Sequence, residues 1–299
     1  MIKTNKKTLI LGSEGQLGGE FVRKLELSKV SYAGFDYAHL DITNKTQMEA
    51  MLQTIGPDLI INCTAFNHVD QAEKEKAKAY QVNQEAVENL ARLCHSQGIF
   101  LVHFSSDYVF NGQKGTPYTE EDQPDPISVY GHSKWEGEKA VEKYTDQFLI
   151  FRLSWLFGQG KNNFLFRLEE WAKNTDRLQI ACDETSVPTF TEDVVEFTFL
   201  ALNKRLEGLY HLTNSGYCSR LEWARYYFER IGRTMELIPV PADSFRLQAR
   251  RPAFSAMSNK KLADDLKMTP PTWQDAVERF LEKLGTAPTF ADNAFFYKK

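Results

Sequence analysis

Nowhere in the 299 residues does an apolar run approach the roughly 20 residues that a membrane-crossing helix needs. Lysines flank the N-terminus, but Leu9-Ile10-Leu11 is too short for the apolar region of a secretory signal. Basic charge is not in excess. The net charge is -4, which leaves no electrostatic footprint for nucleic acid. Cysteine is sparse, and Cys63, Cys94, Cys182 and Cys218 include no pair at metal-binding spacing. They read as reduced thiols, so the expected location is the cytoplasm. Without a secretory signal the sequons at Asn44-Lys45-Thr46 and Asn62-Cys63-Thr64 carry no meaning. The six histidines do not cluster, and no catalytic metal is expected from them. Internal repeats and low-complexity segments are also absent. What remains is a chain of ordinary globular composition, long enough for one large domain or two smaller ones.

Strand and helix patterns alternate through the first half. Thr8-Leu9-Ile10-Leu11 reads as a buried strand, followed by Gly12-Ser13-Glu14-Gly15-Gln16-Leu17-Gly18 and a helical pattern through Phe21, Val22 and Leu25. Strand, glycine-rich turn, helix is the context of a dinucleotide-binding fingerprint. The glycines serve the tight turn, the approach of the backbone to a pyrophosphate, and close helix packing. The helix start supplies N–H groups and a positive dipole end to the phosphates. Ser31 to Phe35 reads as a second strand, and Asp36 closes it, where an acid bonds adenosine ribose hydroxyls and favours NADH over NADPH. Pro57 to Asn62 is a third strand, with Ala65 to Glu73 expected as a loop at its C-terminal end. A long helix carries Ala79, Val82, Ala86, Leu90 and Leu93. Ile99 to Phe104 is a fourth strand running into Ser105-Ser106-Asp107-Tyr108-Val109-Phe110, and Phe148 to Phe151 a fifth. The expected fold class is α/β, a doubly wound parallel Rossmann-type sheet with a smaller C-terminal substrate-binding region. Residues 1–158 are expected to form the dinucleotide-binding domain, completed by parts of 190–215. Residues 159–299 are expected to be mainly substrate-binding. The tail from Gly285 to Lys299 has no periodic pattern.

The chemistry concentrates at Tyr130-Gly131-His132-Ser133-Lys134. A tyrosine and a lysine four residues apart share one helix face. A phenol is a poor acid near neutrality, with a pKa of about 10. A nearby ammonium lowers that value and makes Tyr130 a proton donor.

These features resemble those of the extended short-chain dehydrogenase/reductase superfamily and, within it, the dTDP-4-dehydrorhamnose reductase family. The glycine loop, Pro57-Asp58, Asn62, Val69-Asp70, Ala72-Glu73 and Val82-Asn83 carry the resemblance, with Ser105 to Phe110 and Tyr130 to Lys134 as its most specific parts. Arg152-Leu153-Ser154-Trp155, Pro188-Thr189 and Arg251-Pro252 with Ser255 extend it into the second half. There are departures. Ser106 stands where the family usually has threonine, Thr64-Ala65-Phe66-Asn67 replaces its Ala-Ala-Tyr-Thr, and Asp183-Glu184 replaces an Asp-Gln pair.

The resemblance implies reduction of the C4 keto group of a nucleotide-linked deoxysugar by NADPH or NADH. It implies that Ser106 bonds the carbonyl oxygen, Tyr130 donates the proton, and Lys134 holds the nicotinamide ribose and depresses the Tyr130 pKa. The residues it places at the cofactor are Gly12, Glu14, Gly15, Gln16, Leu17, Gly18, Asp36, Asp41, Ile42, Thr64 and Ala65, together with Tyr130 and Lys134. At the substrate it places Ser106, Asp107, Tyr108, Trp155 and Arg251, the last facing the diphosphate. Some family members carry magnesium at a dimer contact; Glu20, Glu192 and Asp193 are the corresponding acids, read here as solvated carboxylates. A homodimer is compatible with the resemblance. An epimerase or 4,6-dehydratase of the same superfamily is the enzymic alternative, disfavoured by Asp107-Tyr108 where dehydratases place Asp-Glu. The other alternative is a regulatory subunit resembling that of methionine adenosyltransferase.

Overall fold

The computed structural model describes residues 6–160 and 163–285. The chain alternates β1 (Thr8–Leu11), α1 (Gln16–Leu27), β2 (Tyr32–Phe35), α2 (Lys45–Ile55), β3 (Leu59–Asn62), α3 (Ala86–Gln97), β4 (Phe100–Ser106), α4 (Val129–Tyr144) and β5 (Phe148–Leu153). Beyond them lie α5 (Phe164–Ala172), β6 (Arg177–Ala181), α6 (Thr191–Asn203), β7 (Gly208–His211), α7 (Arg220–Arg230), β8 (Glu236–Val240) and α8 (Trp273–Lys283).

Six strands form a parallel sheet in the order β7-β5-β4-β3-β1-β2. The order reverses at β1, with β2 on one side and β3 on the other. The crevice outside the C-terminal strand ends at this switch point is where such sheets bind ligands. Central strands are buried on both faces, which is why β1, β3 and β4 read as continuous apolar runs. One face packs Ile10, Ile61 and Val102 against Phe21 and Leu25 of α1 and Phe197 and Phe199 of α6. The other packs Leu9, Leu11, Ile60 and Leu101 against Met48 and Leu52 of α2 and Leu90 of α3. Each such side chain contributes about 1.5–3 kcal/mol on burial. A third cluster, with Leu168, Ile180, Trp223, Tyr227 and Phe280, joins α5, β6, α7 and α8 beside the sheet.

Several elements differ from the sequence reading. Val69–Lys74, expected within a loop, forms a short helix whose first turn carries Asp70, favourable at a helix N-terminus. The long helix before β4 contains a π turn at Gln81–Glu85, which Asn83 occupies. Strand β8 pairs in parallel with β6 although Pro239 lies in it, and sequence rules demote a proline-bearing run. The helix Lys260–Leu266 was also not apparent. Of the tail from Gly285, all but its first residue lies outside the described residues.

Candidate active site

The start of α1 differs from those of α2, α4, α5, α7 and α8. Those five are capped by Asn44, Ser128, Asn163, Ser219 and Thr272. Helix α1 begins at Gly15 with no side-chain cap. Its glycine loop is tied to the end of β2 by hydrogen bonds from Gly12 and Ser13 N–H to the Phe35 carbonyl. Gly12 has φ +76°, and a Cβ on Gly18 would sit 2.0 Å from the Gly12 carbonyl oxygen. Only a side chain of zero size lets the loop fold back on the helix this closely. An uncapped helix start beneath a glycine loop fits a pyrophosphate.

A cavity of about 1480 Å³ opens from this loop across the C-terminal ends of the strands. Glu14, Gly15, Gln16, Leu17, Thr64 and Ala65 line one end, and Ser106, Asp107, Tyr108, Tyr130 and Lys134 line its middle. Trp155 and Arg251 belong to the wall contributed by the second half. The cavity lining does not include Gly12, Gly18, Asp36, Asp41 or Ile42. The two glycines shape the loop from behind. The Asp36 carboxylate accepts the Tyr37 N–H at 2.7 Å. Asp41 accepts the Thr43 N–H and hydroxyl, and Ile42 is buried in the core beneath α2.

Tyr130 and Lys134 follow from the start of α4, where Ser128 accepts the Gly131 N–H. The helix is pressed onto its neighbours: a Cβ on Gly131 would meet the Tyr108 carbonyl oxygen at 2.1 Å. This approach brings the Tyr130 phenol near enough to Ser106 for that hydroxyl to act on its acidity, and sets its ring edge-on to Tyr108 with centroids 5.6 Å apart. Ser106 also accepts the Tyr108 N–H and donates to Asp107 at 3.1 Å. Asp107 is buried and gathers three hydroxyls, from Ser106, Ser186 and Ser255. Burial pushes its carboxyl up, and the hydroxyls pull it back. The Ser105 hydroxyl is buried on the same wall, without a hydrogen-bond partner among the described residues.

The structure corrects some expectations and adds contacts to others. Lys134 was expected to depress the Tyr130 pKa. Instead burial pushes the phenol up to about 12, and the hydroxyl of Ser106 is the group that offsets it. The ammonium is itself buried, donates to the Phe104 carbonyl at 2.6 Å, and is brought down to about 8 by desolvation. Trp155, expected to pack on substrate, lines the cavity and also stacks on Trp223 with centroids 5.8 Å apart, with the Arg220 guanidinium 3.7 Å from its ring centre. Arg251, expected to face a diphosphate, forks onto Asp70. Glu20, Glu192 and Asp193 are not simply solvated; they pair with Arg23, Lys283 and Arg279. No group of three or more metal-ligating side chains occurs among the described residues.

Two site residues were missed. The capping box Ser219–Glu222 was a signal for the start of α7, and it would have put Arg220 at the first helical position. Nothing in the sequence ties Ser186 to Asp107, because that contact spans 79 positions.

The family model described as the RmlD substrate binding domain matches residues 6–286. The spore coat polysaccharide biosynthesis protein SpsK of Bacillus subtilis is 32% identical over 94% of this chain and 99% of its own length. The dTDP-4-dehydrorhamnose reductase of Escherichia coli is 33% identical over 93% of this chain and 98% of its own. The crystal structure of dTDP-4-dehydrorhamnose reductase from Bacillus anthracis in complex with NADP superposes with a TM-score of 0.90 at 33% identity, covering 94% of this chain and all of that one. The chain, with its glycine loop, its Ser106–Tyr130 pair and its single cavity wall drawn from both halves, belongs to the dTDP-4-dehydrorhamnose reductase family.

Proposed function

We propose that the protein reduces the C4 keto group of a nucleotide-linked deoxysugar with NADPH or NADH, in the form dTDP-4-dehydro-L-rhamnose to dTDP-L-rhamnose. The observation that carries this reading is that Ser106, Tyr130 and Lys134 line one cavity together with the uncapped start of α1. The first half would hold the dinucleotide and residues after 158 would cover the sugar. Gly15 to Leu17 would take the pyrophosphate, with Thr64, Ala65 and Lys134 along the remaining length. When bound, the reduced nicotinamide supplies the hydride to the carbonyl carbon.

The chain supplies the proton and its control. Ser106 orients the carbonyl oxygen by a hydrogen bond. Tyr130 donates its phenolic proton to that oxygen. The high phenol pKa keeps Tyr130 protonated until charge develops on the oxygen beside it. Lys134, anchored on the Phe104 carbonyl, would hold the nicotinamide ribose beside them. Asp36 supports use of NADH at least as well as NADPH, because an acid there bonds ribose hydroxyls and repels a 2′-phosphate. Assembly as a homodimer and a cytoplasmic location extend the family reading, the latter supported by four free thiols; light scattering tests the former.

Replacing Tyr130 with phenylalanine tests the mechanism. The ring and its packing on Tyr108 remain, and only the proton is removed. Turnover is expected to collapse while the reduced-cofactor Kd, read by fluorescence titration, stays near the parent value. A Tyr130→Phe protein with near-parental kcat would sink the proton-donor assignment.

A further inference from the structure

Three arginines of the second half stand on the cavity wall, Arg167, Arg220 and Arg251; Arg167 is exposed, and only Arg251 was apparent from the sequence. Its guanidinium is already committed. Nη1 and Nη2 reach the Asp70 carboxylate at 3.2 and 2.6 Å, and Nη1 also donates to the Ala249 carbonyl. Asp70 accepts the Ala249 N–H in return. This bidentate pair fills the fork and clasps the segment 249–251 to the short helix Val69–Lys74.

Arg220 is placed differently. Its guanidinium lies over the Trp155 ring at 3.7 Å and near Phe164 at 4.9 Å. Its nearest carboxylate is Glu184, at 3.7 Å. That distance offsets the buried charge without consuming an N–H as a hydrogen bond does. Among the described residues its side-chain N–H groups make no hydrogen bond. It is the first residue of α7, where a cation opposes the helix dipole and adds nothing to helix stability. Its charge reaches Asp107 and Tyr108, which line the same cavity.

We propose that Arg220 grips the diphosphate of the nucleotide-linked substrate, and that Arg251 is a structural clasp. The assignment rests on the nucleotide-sugar reading above. A guanidinium stacked on an indole keeps its in-plane N–H groups for phosphate oxygens. The stack also fixes the long side chain before the ligand arrives, so less rotamer freedom is lost on binding.

Isothermal titration with dTDP and with thymidine tests the assignment in the parent, Arg220→Gln, Arg220→Lys and Arg251→Gln. Arg220→Gln is expected to weaken dTDP by about 10- to 100-fold, the worth of charge-assisted hydrogen bonds, and to leave thymidine unchanged. Arg220→Lys is expected to recover part of that loss, as a point charge without the fork. Arg251→Gln is expected to lower the thermal midpoint without a selective loss of dTDP. Unchanged dTDP binding in Arg220→Gln, or equal weakening of both ligands, would overturn the proposal. If Arg220→Gln does not fold, parental dTDP affinity in Arg220→Lys overturns it instead. A parent protein that binds neither ligand removes the nucleotide-sugar reading itself, a result distinct from selective failure of Arg220.

Discussion

Burial sets the proton chemistry of Tyr130 and Lys134. The phenol is pushed up to about 12 and the ammonium is brought down to about 8, in both cases first by desolvation. Across the working range Tyr130 therefore stays protonated, as a donor must, and Lys134 is the group that titrates. Above its pKa the ammonium is lost, and with it the charged donor that would hold the nicotinamide ribose. The profile of kcat/KM against pH is expected to fall through an alkaline limb near pH 8. A limb only at about 10, the ordinary phenol value, would show that the phenol itself is titrating. Ser106 is a second residue with a defined cost. Ser106→Ala removes a hydrogen bond to the developing oxyanion and is expected to lower kcat by about 10²–10³-fold. Ser106→Thr is expected to retain most activity. Parental turnover in Ser106→Ala would transfer the role to Ser105, whose hydroxyl is buried on the same wall and unpartnered among the described residues. The residue types and spacing of Ser106, Tyr130 and Lys134 were legible because they lie near strand and helix ends that the apolar pattern marks. The sign of the Tyr130 shift was not, because it depends on how deeply α4 is buried. The Asp70 partner of Arg251 was not legible either, since it lies 181 positions away.

At the scale of elements, α4 is the part that must not move. Glu138, one turn beyond Lys134, forks onto Arg152 of β5 at 2.9 and 2.7 Å, with both side chains almost fully buried. The Arg152 guanidinium lies over Phe110, just beyond the Ser106 segment. Asn83, from the π turn, accepts the Phe66 N–H and donates to Ser133, whose hydroxyl bonds the Tyr130 carbonyl. The catalytic turn is thus held from β5 and from the loop after β3. Glu138→Ala leaves Arg152 buried and uncompensated, and is expected to destabilise the fold by about 3–5 kcal/mol in urea unfolding. The double variant Glu138→Leu/Arg152→Met is expected to lose much less. Equal losses in the two proteins would show that the pair's charges are not what matters. The strands and helices of the sheet were readable because long apolar periods dominate them. The two-residue pairings Leu156–Phe157 with Thr189–Phe190, and Thr185–Ser186 with Cys218–Ser219, were not, because so short a segment has no period to read.

The whole molecule places its chemistry in one cavity walled by both halves of the chain. The sheet supplies the glycine loop, Ser106 and the α4 face; residues after 158 supply Arg220, Glu184 and Arg251. Strand β7 returns from the second half to the edge of the main sheet beside β5. That return fixes the later segments to the scaffold whose strand ends they cover. The sequence indicated the doubly wound sheet, whereas the covering wall is built from contacts across long separations. The measurement that tests the account most directly follows absorbance of NADH or NADPH on adding dTDP-4-dehydro-L-rhamnose to the purified protein. The account predicts consumption of either cofactor with dTDP-L-rhamnose as product, NADH serving at least as well as NADPH in kcat/KM. Tight cofactor binding with no consumption would contradict it and move the regulatory-subunit reading ahead.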